Sequence, residues 1–283
     1  MSWEWMSQKN NKPQTLKPPK ENRALERDYS KRLIKLTSTI INSFYYWTIA
    51  TLNKNMNKSI STQLAFNFNE LLKEWNKKTK DIAKIEAKRV TRQSSNFVNI
   101  GLKNQGVDLS IKRNPKELDN ELTAIYQRNY NLIKTIPQDI KNRFESAFLN
   151  DVNNFDQEAI KKQVLTIKGI SERRADTIAR DQVAKALDGY ATARSQTLGY
   201  EYYVWVTSKD ERVSRGKGGH KQLGDRIYRY DTPTAIIDGY LNVGHPSQRV
   251  NCRCRRRPLL LKEGQELELV KDNSSGDYYR IKN

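Results

Sequence analysis

The sequence predicts an α+β protein, with a mostly α-helical N-terminal region followed by a compact α+β C-terminal domain. Three observations carry that expectation. Apolar residues return at steps of three and four across the first 160 residues, the period of helices buried on one face. Gly199 then leads from a helical stretch into residues 200–207 (YEYYVWVT), β-branched and aromatic almost throughout and the best strand of the chain. Finally, the only two His and two Cys in 283 residues all fall between positions 220 and 254, which marks that segment as the place to look for chemistry.

Taken in order, residues 1–22 read as an extended, poorly ordered arm, with Pro13, Pro18 and Pro19 among Lys, Asn and Gln. Trp3 and Trp5 do not suit a solvated tail and suggest an anchor. A helical region is expected over 23–160. Leu33, Leu36, Ile40, Phe44 and Trp47 share one face, and Leu64, Phe68, Leu71, Trp75, Ile82 and Ile85 share another, giving two antiparallel helices around a turn near 53–61. The opposite face of the second is rich in Lys (Lys73, Lys77, Lys78, Lys80, Lys84, Lys88), a solvated face that could also carry nucleic acid. Gly101 and Gly106 predict a loop or small hairpin over 94–114. Helix resumes at Pro115, with Asn114 placed to cap it, and Pro137 starts a shorter helix through Phe144 and Phe148.

Residues 164–179 resemble a helix-hairpin-helix element turning at Gly169, which would offer backbone N–H groups to a DNA phosphate. The other reading is a plain helix start capped by Ser171. A C-terminal domain is expected over 161–262, with one or two strands around Gly264. A tail over 263–283 should be mobile unless a partner holds it, with Tyr278 and Tyr279 as docking points.

The balance of 51 Lys and Arg against 32 Asp and Glu gives a net charge of +19. Such a surplus favours polyanions, nucleic acid before anionic lipid, because each neutralised phosphate releases counterions. Hydrophobic residues are 36% and mean hydropathy is −0.85, so much of the chain should meet solvent or a partner. No run approaches the roughly 18 apolar residues of a membrane span, and the N-terminus lacks a signal-peptide core, so no membrane partner and synthesis in the cytoplasm are expected.

Two imidazoles and two thiolates satisfy tetrahedral Zn2+, which makes His220, His245, Cys252 and Cys254 candidate ligands of a structural zinc site. Packing and hydrogen bonding of the same four residues is the alternative; a Cys252–Cys254 disulfide would close a small, strained ring. Asp210 and Arg212 could pair to shape the turn leading to His220. Arg249, Arg253, Arg255, Arg256 and Arg257 bracket the cysteines and suit phosphate or an acidic protein surface. A zinc nuclease would need three ligands, an open position and a base such as Glu211 or Asp225. Four ligands would close the site, and neither a known nuclease motif nor a Gly-rich phosphate loop is present, so no enzyme is expected.

The order of these features is more specific than any one of them. Ala179-Arg180-Asp181, Gly199-Tyr200, Trp205, Asp210-x-Arg212-Val213, His220 with Leu223-Gly224, His245-Pro246 and Asn251-Cys252-Arg253-Cys254 together resemble the phage Mu F-like head morphogenesis family over about residues 165–258. The resemblance implies a minor head protein of a tailed phage, acting in head assembly and in genome packaging or ejection. Its implied partners are the portal protein, double-stranded DNA and the scaffold or major capsid protein, and its implied place is the virion head, assembled in the host cytoplasm. The alternatives are a metal-dependent nuclease and a stand-alone helix-hairpin-helix DNA-binding protein.

Overall fold

The structure, a computed structural model, describes residues 14–53, 59–110, 115–149, 157–209, 213, 219–232, 234–235, 243–273 and 276–282. Trp3, Trp5, Asn114, Asp210, Glu211 and Arg212 lie outside them. The chain is α+β: five long helices precede a C-terminal antiparallel sheet. The helices are α1 (Arg23–Leu52), α2 (Ile60–Lys103), α3 (Pro115–Lys134), α4 (Ile136–Phe148) and α5 (Gln157–Thr197). Two units form, and they interleave along the sequence.

The helical unit comprises the described residues of Asn22–Thr91 and Tyr126–Val183. Asn22 starts α1 as an N-cap, its Oδ1 accepting from the Leu25 N–H at 3.0 Å. In this unit α1 and α2 run antiparallel: Asn67 donates to Thr51 near the turn, while Arg32 meets Glu86 at 2.6 Å far from it. Their apolar stripes close on α4 through Phe44, Phe68, Phe144 and Phe148, whose rings stand 5.2–5.8 Å apart and are all but fully buried. Tilted ring contacts at such distances stabilise beyond plain area burial. Pro137 sits in the first turn of α4, where its missing N–H costs nothing.

The inner stripe departs from the expected one at two points. Trp47 is 40% exposed, and Thr48 takes the buried position, donating to the Phe44 carbonyl. Ile85 is also exposed, and Ala83, Glu86 and Ala87 lie inside. Thr48, Ala83 and Ala87 are small enough to let the helices approach, and Glu86 is held inside by Arg32 and Arg89, so the most apolar side chain is not the one that fits.

Residues 94–103, expected as loop or hairpin, continue α2 instead. Val90, Ser94, Val98 and Leu102 prolong the buried stripe at four-residue steps, and a side chain at Gly101 would meet nothing, so this Gly imposes no turn. The break comes at Gly106, at φ +79°. Neither reading of residues 164–179 holds, hairpin at Gly169 or helix start capped by Ser171: both residues lie inside the 41-residue α5. Their backbone N–H groups belong to the interior of a helix and cannot cradle a phosphate. A mid-helix Gly costs only about 1 kcal/mol, less than the buried positions Val164, Ile167, Ala175 and Ile178 around it contribute.

The sheet unit takes the described residues of Met1–Glu21, Arg92–Ile125 and Ala184–Asn283. Its strands are β1 (Gln14–Thr15), β2 (Tyr202–Val206), β3 (Ile227–Arg229), β4 (Thr234–Ala235), β5 (Val243–Gly244), β6 (Arg255–Leu260), β7 (Leu267–Val270) and β8 (Tyr278–Ile281). Six of them form one antiparallel sheet in the order β1-β6-β2-β3-β8-β7, while β4 pairs with β5. The last turn of α5 closes with Gly199 at φ +89°, the Tyr200 N–H donating to the Ser195 carbonyl at 3.1 Å. That cap aims the chain into β2. Along β2 the side chains of Tyr203, Val204 and Trp205 are all buried, so both faces of this central strand are covered. Val204, Ile227 and Leu259 pack on one face with Tyr202, Leu267, Tyr279 and Ile281 against them.

Two terminal segments are more ordered than expected. Part of the N-terminal arm, β1, adds an edge strand to β6 and buries Leu16. The C-terminal tail is a β7–β8 hairpin: Tyr279 packs edge-on against Tyr202, and Arg226 lies over the Tyr278 ring at 4.3 Å.

Candidate metal centre

The centre is built on the central strand. Trp205, fully buried on β2, packs edge-on at 5.3 Å against the ring of His220. His220 opens the short helix α6 (His220–Leu223), preceded by Gly219 in extended backbone. Cys254 immediately precedes β6, the neighbour of β2, and Cys252 lies two residues earlier. A two-residue step along extended chain returns to the same side, so both thiols can face His220. The approach is made by a tight turn in which Ser247 and Asn251 adopt φ of +65° and +60°. Asn tolerates this left-handed conformation better than most residues, which gives the Asn251-Cys252-Arg253-Cys254 run a backbone reason. The Ser247 hydroxyl ties the turn down by donating to the Cys254 carbonyl at 2.9 Å.

The result is a buried trio. His220 Nδ1 lies 3.5 Å from the Sγ of Cys252 and 3.5 Å from the Sγ of Cys254, and the three ligand atoms all fall within 4.8 Å of one another. Zn–S bonds of about 2.3 Å and Zn–N bonds of about 2.0–2.1 Å, set tetrahedrally, place neighbouring ligand atoms about 3.5–3.8 Å apart. The trio therefore fits a metal of that kind. Its electrostatics agree, because a hydrogen bond with Cys254 and then the nearby His220 pull the Cys252 thiol down, while the same partnership and burial push Cys254 up. The pair thus favours a thiolate at Cys252, and a cation would stabilise a second at Cys254.

Three of the four expected ligands thus come together, and His245 does not join them. Its Nδ1 hydrogen-bonds the Tyr203 hydroxyl at 2.9 Å, and its backbone N–H donates to Gln248 at 2.8 Å. Burial, helped by the positive charge of Arg256, lowers its pKa to about 4. His245 is a neutral bracing residue of the turn.

The arginine run divides. Arg255 and Arg256 are 6% and 9% exposed, which withdraws both from the expected phosphate or portal contact. Arg255 Nη1 donates to Ser247 and to the Cys254 carbonyl. Arg256 pairs with the buried Asp188 of α5 at 3.1 Å, donates to the Pro246 carbonyl, and lies over the Tyr203 ring. Burial is the largest influence and opposes its charge, but Asp188 together with Tyr203 and Tyr230 outweighs it and raises the guanidinium pKa. On β6 these two residues pair with Val206 and Trp205 of the central strand β2, whereas β1 pairs only with Leu259 and Leu260 further along. Arg257 is partly exposed and stands 3.9 Å from Asp225, while Arg249 and Arg253 are half-buried. Asp225, proposed as a catalytic base, is largely exposed beside Arg257.

Asp188 is the residue that sequence reasoning missed. Its signal was an acid in a helical stretch whose neighbours Ala184, Leu187 and Ala191 are small or apolar, where a carboxylate needs a buried partner.

Comparison with known proteins bears on the same residues. The family described as Phage Mu protein F like protein matches residues 139–257. An uncharacterized protein of Haemophilus influenzae is 32% identical over 166 residues, covering 58% of this chain. The match spans 35% of that relative's length, about a third of it. No solved structure matches the chain. Residues 139–257, which run from within α4 into β6 and contain the His220–Cys252–Cys254 trio, are a Phage Mu protein F-like domain.

Proposed function

We propose that this chain is a minor head protein of a tailed phage, working beside the portal and the packaged DNA in head assembly and in genome packaging or ejection. The family match over 139–257 is the observation that carries the reading, since a Mu F-like domain implies head morphogenesis. A net charge of +19 supports a place next to DNA, and among the described residues no helix is long and apolar enough to cross a membrane. Scaffold and major capsid protein are further partners of a protein assembled into heads in the host cytoplasm.

Within that role the trio holds a structural Zn2+, His220, Cys252 and Cys254 supplying three ligands. The ion would tie the start of α6 to the approach to β6, two segments more than 30 residues apart. Burial of all three ligands under Trp205 supports a structural ion over a nuclease centre, which must reach a phosphodiester. The stand-alone hairpin reading loses its basis with the continuous α5.

Metal analysis of freshly reduced protein tests the zinc: one equivalent is expected, falling to none in Cys252→Ser and His220→Ala, and metal-free wild type sinks it. For the head role, particles assembled with and without portal are compared. The chain should enter portal-bearing heads in few copies and be missing from portal-free ones; equal incorporation into both overturns a portal-side role.

A further inference from the structure

We infer that a polar groove of the helical unit is where this protein holds the phosphate backbone of duplex DNA. The inference rests on the DNA-side role proposed above and assigns it a surface. The groove, an open depression of about 820 Å3, is formed by α2, the α3–α4 junction and α5. Lys77 and Lys80 enter from α2, Lys134 from the end of α3 and Arg174 from α5. All three lysines are exposed.

These lysines differ from Lys73, Lys78 and Lys84 of α2 in that their charges are unmatched. Lys73, Lys78 and Lys84 each pair with a carboxylate one turn away, Glu70, Glu74 and Asp81. Among the described residues Lys77 and Lys80 make no ion pair, and Lys134 only lies over the Tyr130 ring at 4.9 Å. Asp139 is the one acid in the lining, and it is engaged by Arg174 at 2.8 Å and by Arg143 at 3.0 Å. Three lysines that repel one another across one depression are the arrangement a polyanion relieves.

The remaining lining residues are Asn, Gln and Thr, groups that donate to phosphate and sugar oxygens without reading bases. No aromatic residue lines the groove, so it lacks the stacking platform of a single-strand site. Duplex backbone, bound without sequence preference, is the ligand these groups fit.

The test uses the full chain and a 30-base-pair duplex of arbitrary sequence, with fluorescence anisotropy read across a salt series. Lys77→Ala/Lys80→Ala/Lys134→Ala is compared with Lys73→Ala/Lys78→Ala/Lys84→Ala, which removes the same charge and the paired lysines instead. The groove variant should bind about tenfold or more weakly near 0.1 M salt, and its plot of log affinity against log salt should be shallower by about two to three. The control should lose much less. Equal losses in both, no loss in the groove variant, or displacement of the duplex by poly-L-glutamate at matched charge as readily as by unlabelled duplex would each overturn the groove. If wild type fails to bind duplex at low salt, the DNA-side role itself falls; binding that ignores the groove leaves that role standing.

Discussion

The helical unit and the sheet unit are stabilised by different chemistry. In the first, Phe44, Phe68, Phe144 and Phe148 form an apolar cluster in which any well-packed side chain of similar volume would serve. In the second, the strands are flanked by buried groups that cannot be exchanged one at a time: Asp188 with Arg256, Tyr203 with His245, and His220 with two thiols. An apolar core constrains volume, whereas a polar one constrains identity, because each buried donor or charge removed strands its partner. This explains why the motif-bearing residues crowd into the sheet unit and few lie in α1–α3.

The sharpest way to break that contrast is a pair of truncations followed by chemical denaturation. Phe144→Ala and Asp188→Ala should each cost about 3–5 kcal/mol, the first through a cavity and the second through the stranded Arg256 charge. Adding Arg256→Met to Asp188→Ala should recover most of the loss. If it does not, the ion pair stabilises in its own right and the sheet unit is not specified by pairing.

A second measurement follows stability against pH in chelator. His245 is held neutral, its pKa lowered to about 4 from an ordinary value near 6.5. The unfolded chain takes up a proton first, so the stability tied to neutral His245 is complete above about pH 6.5 and is lost as pH falls toward 4. His245→Gln should flatten the curve across that window. An unchanged slope would show that the bracing role lies elsewhere.

The smallest expected effect is at Gly169. A Cβ there meets nothing within 4 Å and the residue is helical, so Gly169→Ala should stabilise by about 0.5–1 kcal/mol. A destabilised variant would instead favour a turn at this position.

Legibility divides the same way. The faces of α1 and α2, the start of α4 at Pro137 and the Gly199 exit into β2 follow from spacing and from single-residue conformational preferences, and all are readable from the sequence. Glycine misled where it was taken as a break: Gly101 and Gly169 sit inside helices because the buried stripe around each outweighs its cost. β7 falls among the strands expected around Gly264, but β8 was hidden for another reason, since its pairing with β3 on one side and β7 on the other joins segments that the sequence does not mark as neighbours.

At the centre, the sequence by itself determined which residues were rare, that they clustered between 220 and 254, and that their donor set suits zinc. Only the tertiary structure decided that His220 meets Cys252 and Cys254 while His245 turns to Tyr203, and that Arg256 faces inward to Asp188. The physical reason is range. Periodicity and turn chemistry act over a few residues and are written locally, whereas the pairing of β6 between β1 and β2 sets which side chains lie inside and belongs to segments far apart in the chain.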